Sequence, residues 1–80
     1  MTGEVLIESG YEEICKYHDR ISYEKEVSKE PLKIYKVRYI DGEWEYMLIE
    51  KKERYWSHKE INGLSYPYTI EEIEEILWKM

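Results

Sequence analysis

The sequence predicts an α+β domain: an antiparallel β-meander of three to four strands, with an N-terminal and a C-terminal helix, in the order β-α-β-β-β-α. Three observations predict it. Leu32 to Glu50, LKIYKVRYIDGEWEYMLIE, is a pair of β-branched and aromatic runs on either side of Asp41-Gly42. Asp-Gly suits a two-residue type I′ turn, because both central positions need positive φ. Asn62-Gly63 repeats that kind of signal. Thr69, with Glu72 three residues on, spells a capping box ahead of Ile70, Ile73, Leu77 and Met80 at helical spacing.

Taken in order, Glu4–Glu8 reads as a short strand around Val5-Leu6-Ile7. Ser9 and Glu12 match a second capping box, and Tyr11, Ile14, Tyr17 and Ile21 recur at helical spacing. Residues 10–22 are therefore expected to form an amphipathic helix. Tyr17, Ile21, Tyr23 and Val27 also fit a period of two, so a strand is the competing reading. Residues 24–31 are charged and end in Pro31, which biases the preceding residue away from helix and suggests a solvated connection.

The central hairpin carries its own register. With a two-residue loop, Tyr39 faces Trp44, Val37 faces Tyr46 and Tyr35 faces Leu48 on one side of the sheet. Ile40 faces Glu43, Arg38 faces Glu45, Lys36 faces Met47 and Ile34 faces Ile49 on the other. The first side is uncharged along its middle and should be buried. A slip of one residue would bury Arg38 and Glu45 instead, at a large desolvation cost.

A third strand is expected from Arg54 to Ile61. Leu64–Tyr68 reads as a short fourth strand or an ordered loop, with Pro67 confining any strand there to an edge. The last helix should lie across the Tyr35/Val37/Tyr39/Trp44/Tyr46/Leu48 face. The N-terminal helix should pack beside it, or against the Ile34/Met47/Ile49 end of the opposite face.

The 80 residues suit one small domain, 1–80, in which most large apolar side chains are needed for the core. A single cysteine allows no internal disulfide and fits a reducing compartment. Val5-Leu6-Ile7 is too short for a signal-peptide core or a membrane span, so a cytoplasmic protein is expected. The Lys/Glu-rich composition, without Ala, Gln or Phe, is one reported for hyperthermophiles. It equally fits a low-GC genome, including viral ones.

No catalytic or ligand signature stands out. Cys15 and His18 would be neighbours on a helix, yet a structural zinc site needs four ligands and the other obvious donor is His58. The plain reading is a small buried thiol and an interfacial histidine. Ser57 and His58 are adjacent on a strand and point to opposite faces. Tyr55 and Lys59 match a spacing used by some dehydrogenases, without a phosphate loop or room for a dinucleotide fold. A non-enzymatic protein with no metal or cofactor is expected.

The remaining candidates are surfaces. Glu71, Glu74 and Glu75 share a helix face with Trp78, and an exposed Trp ringed by carboxylates is a common anchor at interfaces. Glu43 and Glu45 add two carboxylates on the polar side of the hairpin. The net charge of −6 fits a partner with a basic surface, so the expected function is a protein-binding module, an inhibitor or adaptor that could compete with nucleic acid. The alternative is a nucleic-acid or nucleotide binder using Lys51, Lys52, Arg54 and Trp56, a basic and aromatic turn suited to charge and stacking. The acidic balance weighs against that alternative. Self-association through a sheet edge is also open.

Overall fold

A computed structural model describes residues 1–64 and 67–80 of the chain. Its elements are α1 (Gly3–Glu8), β1 (Glu12–Lys16), β2 (Arg20–Lys29), β3 (Leu32–Ile40), β4 (Glu43–Lys51), β5 (Trp56–Asn62) and α2 (Ile70–Lys79). The strands form one antiparallel meander in the order β1-β2-β3-β4-β5. The α+β class stands, with five strands among the described residues instead of three to four. No helix among the described residues is long and apolar enough to cross a membrane.

The β3–β4 hairpin takes the register read from its turn, from Ile40 opposite Glu43 to Lys33 opposite Glu50. Asp41 and Gly42 have φ of 50° and 81°, as a type I′ turn requires. An alanine at Gly42 would have to adopt that left-handed backbone with a Cβ. The alternation then sorts the sheet into two faces. Tyr23, Tyr35, Val37, Tyr46 and Leu48 are buried on one, under Ile70, Ile73 and Leu77 of α2 and Leu6 of α1.

The helix at α2 is the one expected. Thr69 Oγ1 accepts from the Glu72 amide at 3.2 Å, and Glu72 Oε1 accepts from the Thr69 amide at 3.2 Å. Two orphan donors of the first turn are thereby satisfied. Ile70, Ile73 and Leu77 are buried, whereas Met80 and Ile76 are exposed.

The first thirty residues depart from the expected elements. Glu4–Glu8 belongs to a helix, not a strand: Thr2 caps it by accepting from the Val5 amide at 3.2 Å. Only Leu6 of its apolar triplet is buried, as befits one turn laid on a core. Ser9 ends this helix, its amide bonded to the Val5 and Leu6 carbonyls, and so does not start another. Gly10, at φ 95°, turns the chain, and Tyr11 drops into the core. The expected helix over 10–22 is instead β1 and the start of β2, and the period of two wins. Pairing of Ile21 with Tyr39 and Tyr23 with Val37 satisfies the backbone across the sheet, which local helical spacing could not anticipate.

The charged stretch 24–31 is mostly β2 as well, not a connection. Glu24 and Glu26 project from the solvent side of the sheet, where charge is tolerated. The turn is only Glu30-Pro31, joined by a cis peptide bond. The strand expected from Arg54 begins two residues later, at Trp56, as β5. Gly63 has φ 80°, but Asn62 still pairs with Glu45, and neither Leu64 nor Pro67–Thr69 is strand. The rest of the expected 64–68 element, residues 65 and 66, lies outside the described residues.

The N-terminal helix shares the face of α2. It does not cover the Ile34/Met47/Ile49 side, and no helix among the described residues packs there. Ile73 has no exposed surface in the core between α2 and the sheet. Truncation there should leave a cavity, so Ile73→Ala is expected to cost about 2–4 kcal/mol of unfolding free energy, read as a lowered urea midpoint.

Candidate functional site

The acidic helix separates into two kinds of carboxylate. Glu74 is turned inward: its Oε2 accepts from the Tyr11 hydroxyl at 2.7 Å and lies 2.9 Å from Lys25 Nζ. Lys25 also donates to the Ser9 carbonyl at 3.2 Å, and its ammonium sits 5.1 Å from the Tyr11 ring centroid. The Tyr35 hydroxyl donates to the Glu74 carbonyl at 3.2 Å. This node joins the end of α1, the start of β1, β2, β3 and α2, and it occupies Glu74 with the fold. A sequence signal existed, since Glu74 sits on the helix flank nearest the buried stripe, but its partners come from far along the chain.

Glu71 and Glu75 stay exposed. Glu75 holds Lys79 one turn on at 2.7 Å, and that hydrogen bond lowers its carboxyl below the usual range. Trp78 is 49 % exposed, with Lys33 Nζ 4.3 Å from its ring centroid. The ammonium over the indole face is a cation–π contact that holds the ring at the rim of the sheet while leaving its other side in water. Glu71, Glu75 and Trp78 thus form one solvent-facing flank of α2.

Glu43 and Glu45 do not join it. They project from the opposite face of the sheet, across from Ile40 and Arg38. There Arg38 Nη2 meets Glu45 Oε1 at 2.7 Å and reaches toward Glu60 at 3.8 Å, while Lys36 lies 3.7 Å from Glu24. Arg38 Nε has no acceptor among the described residues. This open face also carries Ile34, Met47, Ile49 and Trp56, an apolar strip bordered by Lys36, Arg38, His58 and Glu60. The helix expected against its Ile34/Met47/Ile49 end does not form, because residues 10–22 build β1 and the start of β2.

The basic turn is partly self-paired. Lys52 is 2.9 Å from Glu50, and the hydrogen bond between them raises the lysine and lowers the glutamate. Lys51 Nζ is 5.9 Å from the centroid of the Trp56 ring, which is 53 % exposed. Arg54 is exposed.

The other chemical candidates separate in space. Cys15 is half-buried on β1 opposite Ser22, and His18 lies in the β1–β2 turn. No group of three His, Cys, Asp or Glu side chains among the described residues is placed to hold a metal ion. No family model matches the chain, and comparison with the curated proteins and with the solved structures gives no match either.

Two outcomes are expected from this geometry. Glu74→Lys should not leave the fold intact, because it places a second ammonium against Lys25 and strands the Tyr11 hydroxyl. A loss of about 2–3 kcal/mol in urea unfolding is expected, against little change for Glu71→Lys.

The second concerns alkaline pH. Burial pushes the Tyr46 hydroxyl from 10.0 up to about 12, and burial also raises Tyr11, Tyr23 and Tyr35. The folded chain therefore holds protons that the unfolded chain releases near 10.0. This stabilisation is complete below that pH and is lost as pH rises toward 12. The urea midpoint should fall across this window, and Tyr46→Phe should flatten the fall while losing the hydrogen bond to the Leu64 carbonyl.

Proposed function

We propose that this chain is a non-catalytic protein-binding module that engages a basic surface of a larger protein through the outer flank of α2. The observation that carries the reading is Trp78. A large aromatic ring, half exposed and propped by Lys33, stands next to Glu71 and Glu75 on a helix whose inner stripe is fully used by the core. Such a ring supplies contact area at low entropic cost, and carboxylates around it steer and select a basic partner. Glu74 is replaced in this reading by Glu71 and Glu75, because its carboxylate is already bonded to Tyr11 and Lys25. Glu43 and Glu45 drop out for the same patch, since they lie on the far side of the sheet. A module of this kind acts as an adaptor or an inhibitor by occupying the partner's surface.

A second reading has its own observation. Trp56 stands where the basic turn meets the open sheet face, with Lys51 against its ring and Lys36, Arg38 and His58 along the strip beyond it. Aromatic stacking beside cations is how single-stranded nucleic acid is held.

Affinity capture from a native lysate tests the first reading, with Trp78→Ala and Glu71→Lys/Glu75→Lys as comparisons. The expected result is a specific co-purifying protein, lost with either variant while the urea midpoint stays close to that of the parent chain. Capture unaffected by both variants, or lost only with Lys51→Ala/Trp56→Ala alongside retained oligonucleotides and a steep salt dependence, sinks it in favour of the second.

A further inference from the structure

The two edges of the sheet are built differently. β1 is five residues long, and its register shifts between Glu13 and Cys15. A short, bulged edge resists pairing with another chain. β5 is seven residues long, with no register shift against β4 and no proline. The Gly63 amide donates to the Trp44 carbonyl at 3.4 Å. By alternation Ser57, Lys59 and Ile61 direct their backbone groups to β4, while Trp56, His58, Glu60 and Asn62 direct theirs outward. No strand among the described residues pairs with that outer edge.

We propose that this edge pairs with β5 of a second copy, antiparallel about a two-fold axis perpendicular to the sheet, so that two sheets become one. The identity of the occupant follows from which side chains the pairing sets opposite each other. Residues that oppose each other across such an axis must share a face, so the axis passes through a residue. Centred on His58 or Glu60, the pairing sets like residues against each other and leaves part of the strand overhanging. Centred on Lys59, it sets His58 opposite the partner's Glu60, twice by symmetry, and Trp56 opposite the partner's Asn62. Every outward amide and carbonyl of the strand then has a partner. Glu60 is free to serve, because its approach to Arg38 is 3.8 Å and Arg38 is already held by Glu45 at 2.7 Å.

Two lysines then meet near the axis, on the helix side. Each is held within its own copy: Lys59 Nζ donates to the Met80 carbonyl at the end of α2, and Glu50 interacts favourably with its charge. An edge lysine guards an edge when its ammonium projects over it, and here the ammonium is drawn back.

A second observation supports the same occupant. Glu74 and Trp78 lie on the α2 flank over β2 and β3, through Lys25 and Lys33. Ile76 and Met80 fall on the opposite flank, toward β5, and are 38 % and 55 % exposed. In the pair both α2 helices stand on the same side of the joined sheet, with these apolar flanks facing across the axis. The Glu71/Glu75/Trp78 flank stays outside, so the dimer does not depend on the proposed function and presents that flank twice.

Sedimentation equilibrium over a concentration series decides the matter. The parent chain is expected to run as a concentration-dependent dimer. His58→Glu turns both cross-axis pairs repulsive and should raise the dissociation constant about tenfold. The His58→Glu/Glu60→Lys double variant places opposite charges in both pairs and should recover most of that loss. Glu60→Pro removes an outward amide together with the pairing carboxylate but no hydrogen bond to β4, so a monomer with an unchanged far-ultraviolet circular dichroism spectrum is expected. Trp78→Ala should leave the mass unchanged. A parent chain that stays monomeric, a dimer indifferent to both His58→Glu and Glu60→Pro, or a double variant no stronger than His58→Glu would each overturn the proposal.

Discussion

Ile70, Ile73 and Leu77 lie against Tyr35, Val37, Tyr46 and Leu48, and the rest of the domain is arranged so that this one contact can exist. A helix of ten residues is marginal in water, so α2 persists because its stripe is buried. The sheet face beneath it is aromatic, with no charge on its four central positions. Burial of side chains this size contributes about 1.5–3 kcal/mol each before conformational entropy is set against it. A small domain has no second core to fall back on. The type I′ turn at Asp41-Gly42 matters because it sets which side chains present themselves to that helix.

The Tyr11–Lys25–Glu74 node answers a problem created by the same contact. The α2 stripe is narrow, and its flank still faces β2 and the start of β1. Carboxylate, ammonium and phenol close that flank with charge-assisted hydrogen bonds, and the Tyr35 hydroxyl adds one to the helix backbone. The node ties the first twelve residues to the last ten. It also explains why the four glutamates of the helix are not equivalent. Glu72 caps the helix, Glu74 locks it, and Glu71 and Glu75 remain for other work.

With both helices on one face, the other face carries no layer among the described residues. Antiparallel sheets tolerate this when the exposed side is mixed, and here ion pairs thread between Ile34, Met47, Ile49 and Trp56. The domain thus offers three separate outer surfaces: the acidic helix flank, the mixed sheet face and the β5 edge. Their separation follows from topology, because a helix layer and a sheet's reverse side cannot share one flat patch.

The central hairpin, its register and the capped last helix were determined by the sequence alone. Each rests on neighbours close in the chain: the positive-φ demand of Asp41-Gly42, the alternation around it, and the Thr69–Glu72 capping box. The first thirty residues were not legible in this way. Tyr11, Ile14, Tyr17 and Ile21 favour a helix, Tyr17, Ile21, Tyr23 and Val27 fit a strand, and only pairing across the sheet selects the strand. Ser9 reads as a cap at either end of a helix, and the preceding turn of α1 decides which. Glu24 and Glu26 resemble a solvated linker until one face of the sheet is known to be open. Glu74 lies nearer the buried stripe than Glu71 and Glu75, but Tyr11 and Lys25, more than forty positions away, are what make it structural. Tertiary structure settled these points because each depends on a partner that the chain brings near only by folding.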